Sequence, residues 1–252
     1  MPILTKYSAD SLETDGNIVG TSTDGNRDGA RDGTGGVGTF AETARDHNVD
    51  AEAAIQIIYS PGRGAGTYYF RRYYTVFDTS EITLAHTVNS ATISLYKDAA
   101  TNGGNVIMVK STAFGGDGAT ALHVDDKRAY PGYSAATTML NNVTDYSSVV
   151  DWENASTGYV SFTLTGDALA DIKNNDVLII MTVNYDHDYL YTNPGATTFI
   201  NADLYYDEYT GTSRDPKLII NYATPKPTYN NKSNYIRTSS GNINISSGNI
   251  II

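Results

Sequence analysis

The stretch Ala91-Thr92-Ile93-Ser94-Leu95-Tyr96 decides the fold class. Ala91, Ile93 and Leu95 alternate with Thr92, Ser94 and Tyr96, a period of two that suits a strand with one face on a core and the other toward water. The same period returns in Val160, Phe162 and Leu164 against Tyr159, Ser161 and Thr163, and in Leu218, Ile220 and Tyr222 against Lys217, Ile219 and Asn221. Residues 66–77 carry Tyr68, Tyr69, Phe70, Tyr73, Tyr74 and Phe77, an aromatic composition that favours strands. Two runs break the alternation, Val106-Ile107-Met108-Val109 and Val177-Leu178-Ile179-Ile180-Met181. They read as strands covered on both faces, by a loop or by a neighbouring subunit. The only helical signal is Thr165-Gly166-Asp167-Ala168-Leu169-Ala170-Asp171-Ile172, a capped turn or two before a strand. About eight to ten strands with long connections and almost no helix predict an all-β chain, a two-sheet antiparallel β-sandwich of jelly-roll type.

The regular patterning frames residues 55–222. Before it, residues 1–54 form a Gly/Asp-rich N-terminal segment leading into the first strand region. The run Thr23-Asp24-Gly25-Asn26-Arg27-Asp28-Gly29-Ala30-Arg31-Asp32-Gly33 reads there as a long loop that cannot build core alone. After it, residues 223–252 open with the stiff linker Ala223-Thr224-Pro225-Lys226-Pro227. They continue into a repeat, Ser239-Ser240-Gly241-Asn242-Ile243 and Ser246-Ser247-Gly248-Asn249-Ile250, spaced by seven residues. Ile243, Ile245, Ile250 and Ile252 give this tail strand character without the mass to fold alone, so it is expected to dock on a partner or a further copy.

Composition narrows the function. The 252 residues hold no cysteine, which removes disulfides, thiolate zinc sites and cysteine nucleophiles. Seventeen basic against 28 acidic residues leave a net charge of −11, so nucleic acid is not an expected partner. No apolar stretch reaches the length of a membrane span, and membrane insertion is not expected. The opening Met1-Pro2-Ile3-Leu4-Thr5-Lys6-Tyr7 lacks the apolar core and cleavage site of a secretory signal. Yet 23 Gly and 20 Tyr, with many Thr, Ser and Asn, give an extracellular texture. A viral structural protein released by lysis combines the two.

Three segments in order resemble the DNRLRE-like β-sandwich proteins, a jelly-roll group related to carbohydrate-binding modules whose plan recurs in phage and viral proteins of unassigned role. They are Tyr69-Phe70-Arg71-Arg72-Tyr73-Tyr74-Thr75-Val76-Phe77-Asp78-Thr79-Ser80-Glu81-Ile82, Val88-Asn89-Ser90-Ala91-Thr92-Ile93-Ser94-Leu95-Tyr96, and the closing strand with its approach, residues 207–222, containing Pro216-Lys217-Leu218. The resemblance implies a jelly roll with a binding or structural role, and it carries no catalytic residues.

Two loops attract a functional reading. Asp24, Asn26 and Asp28 alternate before Gly29, the start of a calcium-loop spacing, with Asp32 adding oxygens. The bidentate glutamate such a loop requires is Gly35 here, and a solvated turn-rich loop fits the same residues. Asp186-His187-Asp188, next to Tyr185, Tyr189 and Tyr191, could form a polar binding loop or a metal site, but it lacks the repeated histidine spacing of zinc sites and reads as a strand-end loop. Tyrosine outnumbers Phe by 20 to 6, and its ring and hydroxyl suit a sugar. Tyr189, Tyr191, Tyr205, Tyr206 and Tyr209 are the exposed glycan-binding candidates, while alternation turns Tyr96 and Tyr159 outward. Strand packing and subunit interfaces would use the same tyrosines. No Gly-x-Ser-x-Gly, phosphate loop or His-Glu-x-x-His is present. The expectation is therefore a non-enzymatic protein on the virion surface, a head-decoration, fibre or tail component. Its partners would be other virion proteins, copies of itself and host-surface glycans, with calcium as the one cofactor suggested. The alternative is an extracellular glycan-binding module of a cellular secreted protein.

Overall fold

The computed structural model describes residues 2–8, 15–33, 40–46, 52–62, 64–98, 102–131, 140, 142–195, 198–206, 211–225, 237–238 and 241–242. In chain order the elements are β1 (Ile3–Tyr7), β2 (Asp15–Ser22), α1 (Arg27–Asp32), β3 (Phe40–Asp46), β4 (Glu52–Ser60) and β5 (Thr67–Asp78). Then come β6 (Thr87–Lys97), β7 (Asn105–Lys110), β8 (Val150–Asp151), β9 (Gly158–Thr163), α2 (Gly166–Asn174) and β10 (Val177–Asn184). The last are β11 (Thr198–Leu204), β12 (Lys217–Ala223), β13 (Arg237–Thr238) and β14 (Gly241–Asn242). Short 3₁₀ turns occupy Phe114–Gly116 and Val124–Arg128, and a π-turn occupies Tyr185–Tyr189.

The chain is all-β and antiparallel. Twelve strands form one ladder in the order β1-β12-β6-β11-β4-β5-β10-β7-β8, with β9 on β6, β2 on β5 and β3 on β2. The ladder is thinnest between β6 and β11, where Leu204 opposite Lys97 is the single registered pair. On one side of that link lie β1, β12, β6 and β9; on the other lie β11, β4, β5, β10, β7 and β8. Both groups line the same main core. Ile93 and Leu95 of β6, Phe162 of β9 and Leu218 of β12 meet Phe77 of β5, Met108 of β7, Leu178 of β10 and Trp152 there.

The alternating segments become the expected strands: Ala91, Ile93 and Leu95 are buried, as are Val160, Phe162 and Leu164, Leu218 and Ile220. The two unbroken apolar runs are β7 and β10, and both are covered on two faces. Their even residues, Val106, Met108, Leu178 and Ile180, face the main core. Their odd residues, Ile107, Val109, Ile179, Met181 and Val183, pack in a second cluster with Phe114, Leu122, Tyr130 and Leu140 from the loop after β7. The cover is this chain's own loop. α2 follows the helical signal, its Thr165 hydroxyl accepting from Ala168 N.

The reading of the Gly/Asp-rich N-terminal segment as a long loop is corrected: it holds β2, α1 and β3. β2 pairs with β5 over its whole length, from Asp15 opposite Thr75 to Ser22 opposite Tyr68, and with β3 on its other edge. Strands also begin at Ile3, not near Ile55. β2 escapes an apolar-pattern reading because Asp15, Asn17 and Ser22 are buried while polar: Tyr73 Oη donates to Asp15 (2.7 Å), and Asn17 Nδ2 donates to Tyr206 Oη (2.8 Å).

Trp152, the only tryptophan, is fully buried and stacks near Phe162 with ring centroids 6.4 Å apart. Gly103 presses against it, so closely that a Cβ there would lie 2.3 Å from Trp152 Cδ1. Gly103→Ala is expected to lose about 1–3 kcal/mol of stability through this overpacking. Trp152 fluorescence during denaturant unfolding measures it; an unchanged midpoint contradicts the packing described.

Candidate functional site

The two loops singled out by sequence, some 160 positions apart, meet against β2 and β5, but as an internal ion network. α1 is built by local capping: the Asn26 side chain accepts from Gly29 N (2.9 Å), and Gly33 closes the helix at φ 69°, a left-handed geometry that suits glycine. Ala30 seats the helix against Ile57, Tyr68 and Phe70. This sets Arg31 and Asp32 inward, both fully buried. Arg72 of β5 lies at a fork in the ladder, for Arg71 still faces Gln56 of β4 whereas Tyr73 already faces Thr182 of β10.

Arg72 binds Asp188 through two nitrogens (Nε to Oδ2 2.7 Å, Nη2 to Oδ1 2.8 Å) and Asp32 through Nη2 (2.7 Å). Its Nη1 donates to the Lys127 carbonyl at 2.6 Å. Arg31 grips the same carboxylates, Nε on Asp188 Oδ1 (2.9 Å) and Nη1 on Asp32 Oδ2 (2.5 Å). Lys127 Nζ completes the knot on the Ala30 carbonyl at 2.5 Å. Gly20 leaves the space for that contact, since a Cβ there would lie 1.8 Å from Nζ and 1.9 Å from Ala30 O. All five side chains are at most 1% exposed.

Around this knot the outer residues are also consumed. Arg27 donates to the His187 and Thr192 carbonyls (both 3.0 Å) and lies 4.1 Å from the Tyr191 ring centroid. Tyr191 sits at φ 58°, an uncommon conformation for a residue with a bulky side chain, and its hydroxyl donates to Asp28. Burial, followed by the bond to Asp28, pushes the Tyr191 hydroxyl up to about 12.

The calcium set is therefore spent elsewhere. Asp24 accepts from Ser22 Oγ and Asn26 N, Asn26 caps α1, Asp28 holds Tyr191 and Asp32 holds two arginines. Among the described residues no three carboxylate or histidine side chains are grouped to hold a metal. The tyrosine set is corrected too. Tyr189 is buried with its hydroxyl on Asp145 (2.9 Å), and Tyr205 is buried against Tyr96 with Arg214 over its ring. Tyr206 is fully buried edge-on to Tyr73. Tyr191 alone of the described four is half-exposed, and Tyr209 lies outside the described residues.

Sequence reasoning missed Arg72 and Lys127. A signal existed: Arg71-Arg72 interrupts an aromatic strand, and a charge inside such a run must find a buried counter-charge.

The surface left open is the outer face of β1, β12, β6 and β9. Register places Thr5, Ile219, Thr92 and Thr163 in one row across the four strands, and Tyr7, Lys217, Ser94 and Ser161 in the next. Tyr96 stands directly opposite Tyr159, rings edge to face at 5.1 Å, and Lys217 Nζ lies 3.4 Å from the Tyr159 centroid. Thr5, Ser161 and Thr163 are exposed, and the two outward tyrosines are half-buried. A separate cleft of about 440 Å³ lies between residues 80–85 and the end of α2, with Leu84 at its lip. No protein-family model matches the chain, and no curated protein matches it.

Burial alone would raise the Asp188 carboxyl, but the charge and hydrogen bonds of Arg72, then the charges of Arg31 and Lys127, outweigh it and hold it below the usual carboxylate range. A depressed folded value stabilises the protein above the unfolded value near 3.9, and the contribution disappears as pH falls through the folded value. Thermal stability is thus expected to drop below about pH 4. Asp188→Asn should cost about 3–5 kcal/mol at pH 7 by leaving buried arginines unpaired, and should flatten that acid limb. A variant as stable as the parent at pH 7 would contradict the network's role.

Proposed function

We propose that the protein is a non-enzymatic structural component of a virion, a head-decoration, fibre or tail protein, whose open sheet face binds host-surface glycans. The observation that carries this reading is the outer face of β1, β12, β6 and β9, where the hydroxyls of Thr5, Ser161 and Thr163 are exposed beside half-buried Thr92 and are bounded by Tyr7, Tyr96 and Tyr159. Hydroxyls exchange hydrogen bonds with sugars, and tyrosine adds an apolar ring with a polar tip.

Size supports a glycan over a protein partner. Three inter-strand spacings by five residues give a platform roughly 15 Å on a side. That is on the order of 200–300 Å², well short of the about 800 Å² each side contributes to a stable protein interface. Binding through one copy is accordingly weak, and adhesion depends on many copies acting together. The two strand groups, joined at β6–β11 by one pair and lining one core, fit the two sheets of a jelly-roll sandwich. The non-catalytic reading is supported by the fate of the charged side chains in the two flagged loops, which hold one another and the backbone.

Ser161→Arg and Thr163→Arg place bulk and charge on the exposed face, and Tyr159→Ala removes its wall. Each is expected to lower binding of multimeric protein to a glycan array or to host cells at least about tenfold while shifting the melting temperature little, as avidity multiplies weak contacts. Retention of binding in all three, or no glycan binding by the multimer, contradicts the reading.

A further inference from the structure

We propose that the open edge of β1 is completed by the C-terminal tail of a second copy of this chain. The backbone of β1 is half used. Tyr222 N donates to Pro2 O and Ser8 N donates to Pro216 O, each at 3.2 Å, so residues 2, 4, 6 and 8 face β12. Ile3, Thr5 and Tyr7 therefore turn their N–H and C=O groups the other way, six groups that no strand among the described residues pairs. Ile3 is 67% exposed.

The other ends of the ladder are protected. β8 is two residues long, β3 carries Glu42, Arg45 and Asp46, and β9 is followed by the bridge from Leu164 to Ser147. β1 has neither bulge nor internal proline, and its one charge, Lys6, is tied to Glu81 at 2.5 Å. An edge of this kind is a template for an added strand.

The tail supplies a matching strand. Within it β13 and β14 pair around Ser239-Ser240 as a sheet separate from the main ladder. A two-stranded ribbon is marginal alone. In sequence, Asn242-Ile243-Asn244-Ile245 continues it with isoleucine at alternate positions, suited to lie beside Ile3 and Tyr7.

Charge favours the same docking. Residues 225–252 contain Lys226, Lys232 and Arg237 and no acidic residue, a charge of +3, which leaves −14 on the remainder of a chain of −11. Asp78 and Glu81, both largely exposed, stand beside the β1 edge at Lys6. The tail leaves from Ala223, next to the start of β1, and its sequence continues through Pro225 and Pro227, a linker of restricted backbone. Exchange between copies is then head-to-tail, a contact that builds rings or filaments. It rests on the backbone edge of β1 and not on the glycan reading, although the side chains of Thr5 and Tyr7 border both surfaces.

The experiment uses the full chain, which has no cysteine of its own. Sedimentation should show a multi-copy species for the parent that dissociates at high salt. Thr5→Pro removes one outward N–H and leaves the β12 ladder intact, and deletion of 239–252 removes the donor. Both should weaken assembly at least tenfold at an unchanged melting temperature. Mixing Thr5→Cys chains with Ile243→Cys or Ile245→Cys chains should give a disulfide-linked pair of chains under oxidation. A monomeric parent, variants that keep the parental mass, or a cross-link that forms only when both cysteines share one chain would each overturn the proposal. Glycan binding is read on the tail-deleted chain displayed at fixed density on beads, where neither assembly nor Thr5 is altered, so that it bears on the outer face and not on the tail.

Discussion

Arg72 fastens three separate connections of the chain to the β-ladder. It sits where β5 has parted from β4 and not yet met β10, and its guanidinium reaches from that gap to Asp188, Asp32 and the Lys127 carbonyl. Those partners come from α1, from the loop after β7 and from the turn after β10, so one side chain fastens three connections to the sheet. Removing such ions from water costs several kcal/mol apiece, repaid only when geometry is good and the remaining donors are satisfied. Here four of the five charged groups form a closed ring of Arg-carboxylate contacts, and the fifth reaches a helix carbonyl that Gly20 leaves accessible. Loss of one member is expensive because the rest stay buried.

Much of the fold was legible because β6, β9 and β12 keep one wet face, and a period of two then separates Ile93 from Ser94 or Phe162 from Ser161. β7 and β10 were legible as doubly covered, for unbroken apolar runs have no face to give to water. β2 was not, because buried Asp15 and Asn17 are satisfied by partners distant in sequence, Tyr73 and Tyr206, and local pattern carries no record of such pairing. The same blindness affected the site. Asp28, Asp32, Asp188 and Tyr191 stand out in the sequence and do converge, but Arg72 and Lys127, which close the network around Asp32 and Asp188, lie elsewhere in the chain. Exposure was the other failure: Tyr189, Tyr205 and Tyr206 look like rim residues by composition and are held inside by Asp145, Tyr96 and Tyr73.

This division of labour shapes the functional reading. The polar loops at 23–33 and 185–191 are architectural, held against β2 and β5, whereas the outer face of β1, β12, β6 and β9 exposes Thr5, Ser161 and Thr163. A rigid, locked body with a modest hydroxyl-rich platform suits repeated weak contact better than a mobile binding loop, since little ordering is lost at each encounter. Tyr96 and Tyr159 then serve as a wall whose orientation is set by Lys217 and Arg214 over their rings.

The most direct measurement of the account's central claim is a double-mutant cycle on Arg72→Met and Asp188→Leu, read by denaturant unfolding. If the ion network is the lock, each single variant loses about 3–5 kcal/mol and the double variant loses clearly less than their sum, because the second substitution removes the charge that the first had stranded. Small, additive losses would mean that Arg72 and Asp188 are neighbours without being partners, and that something else holds α1 and the 185–191 turn to the sheet.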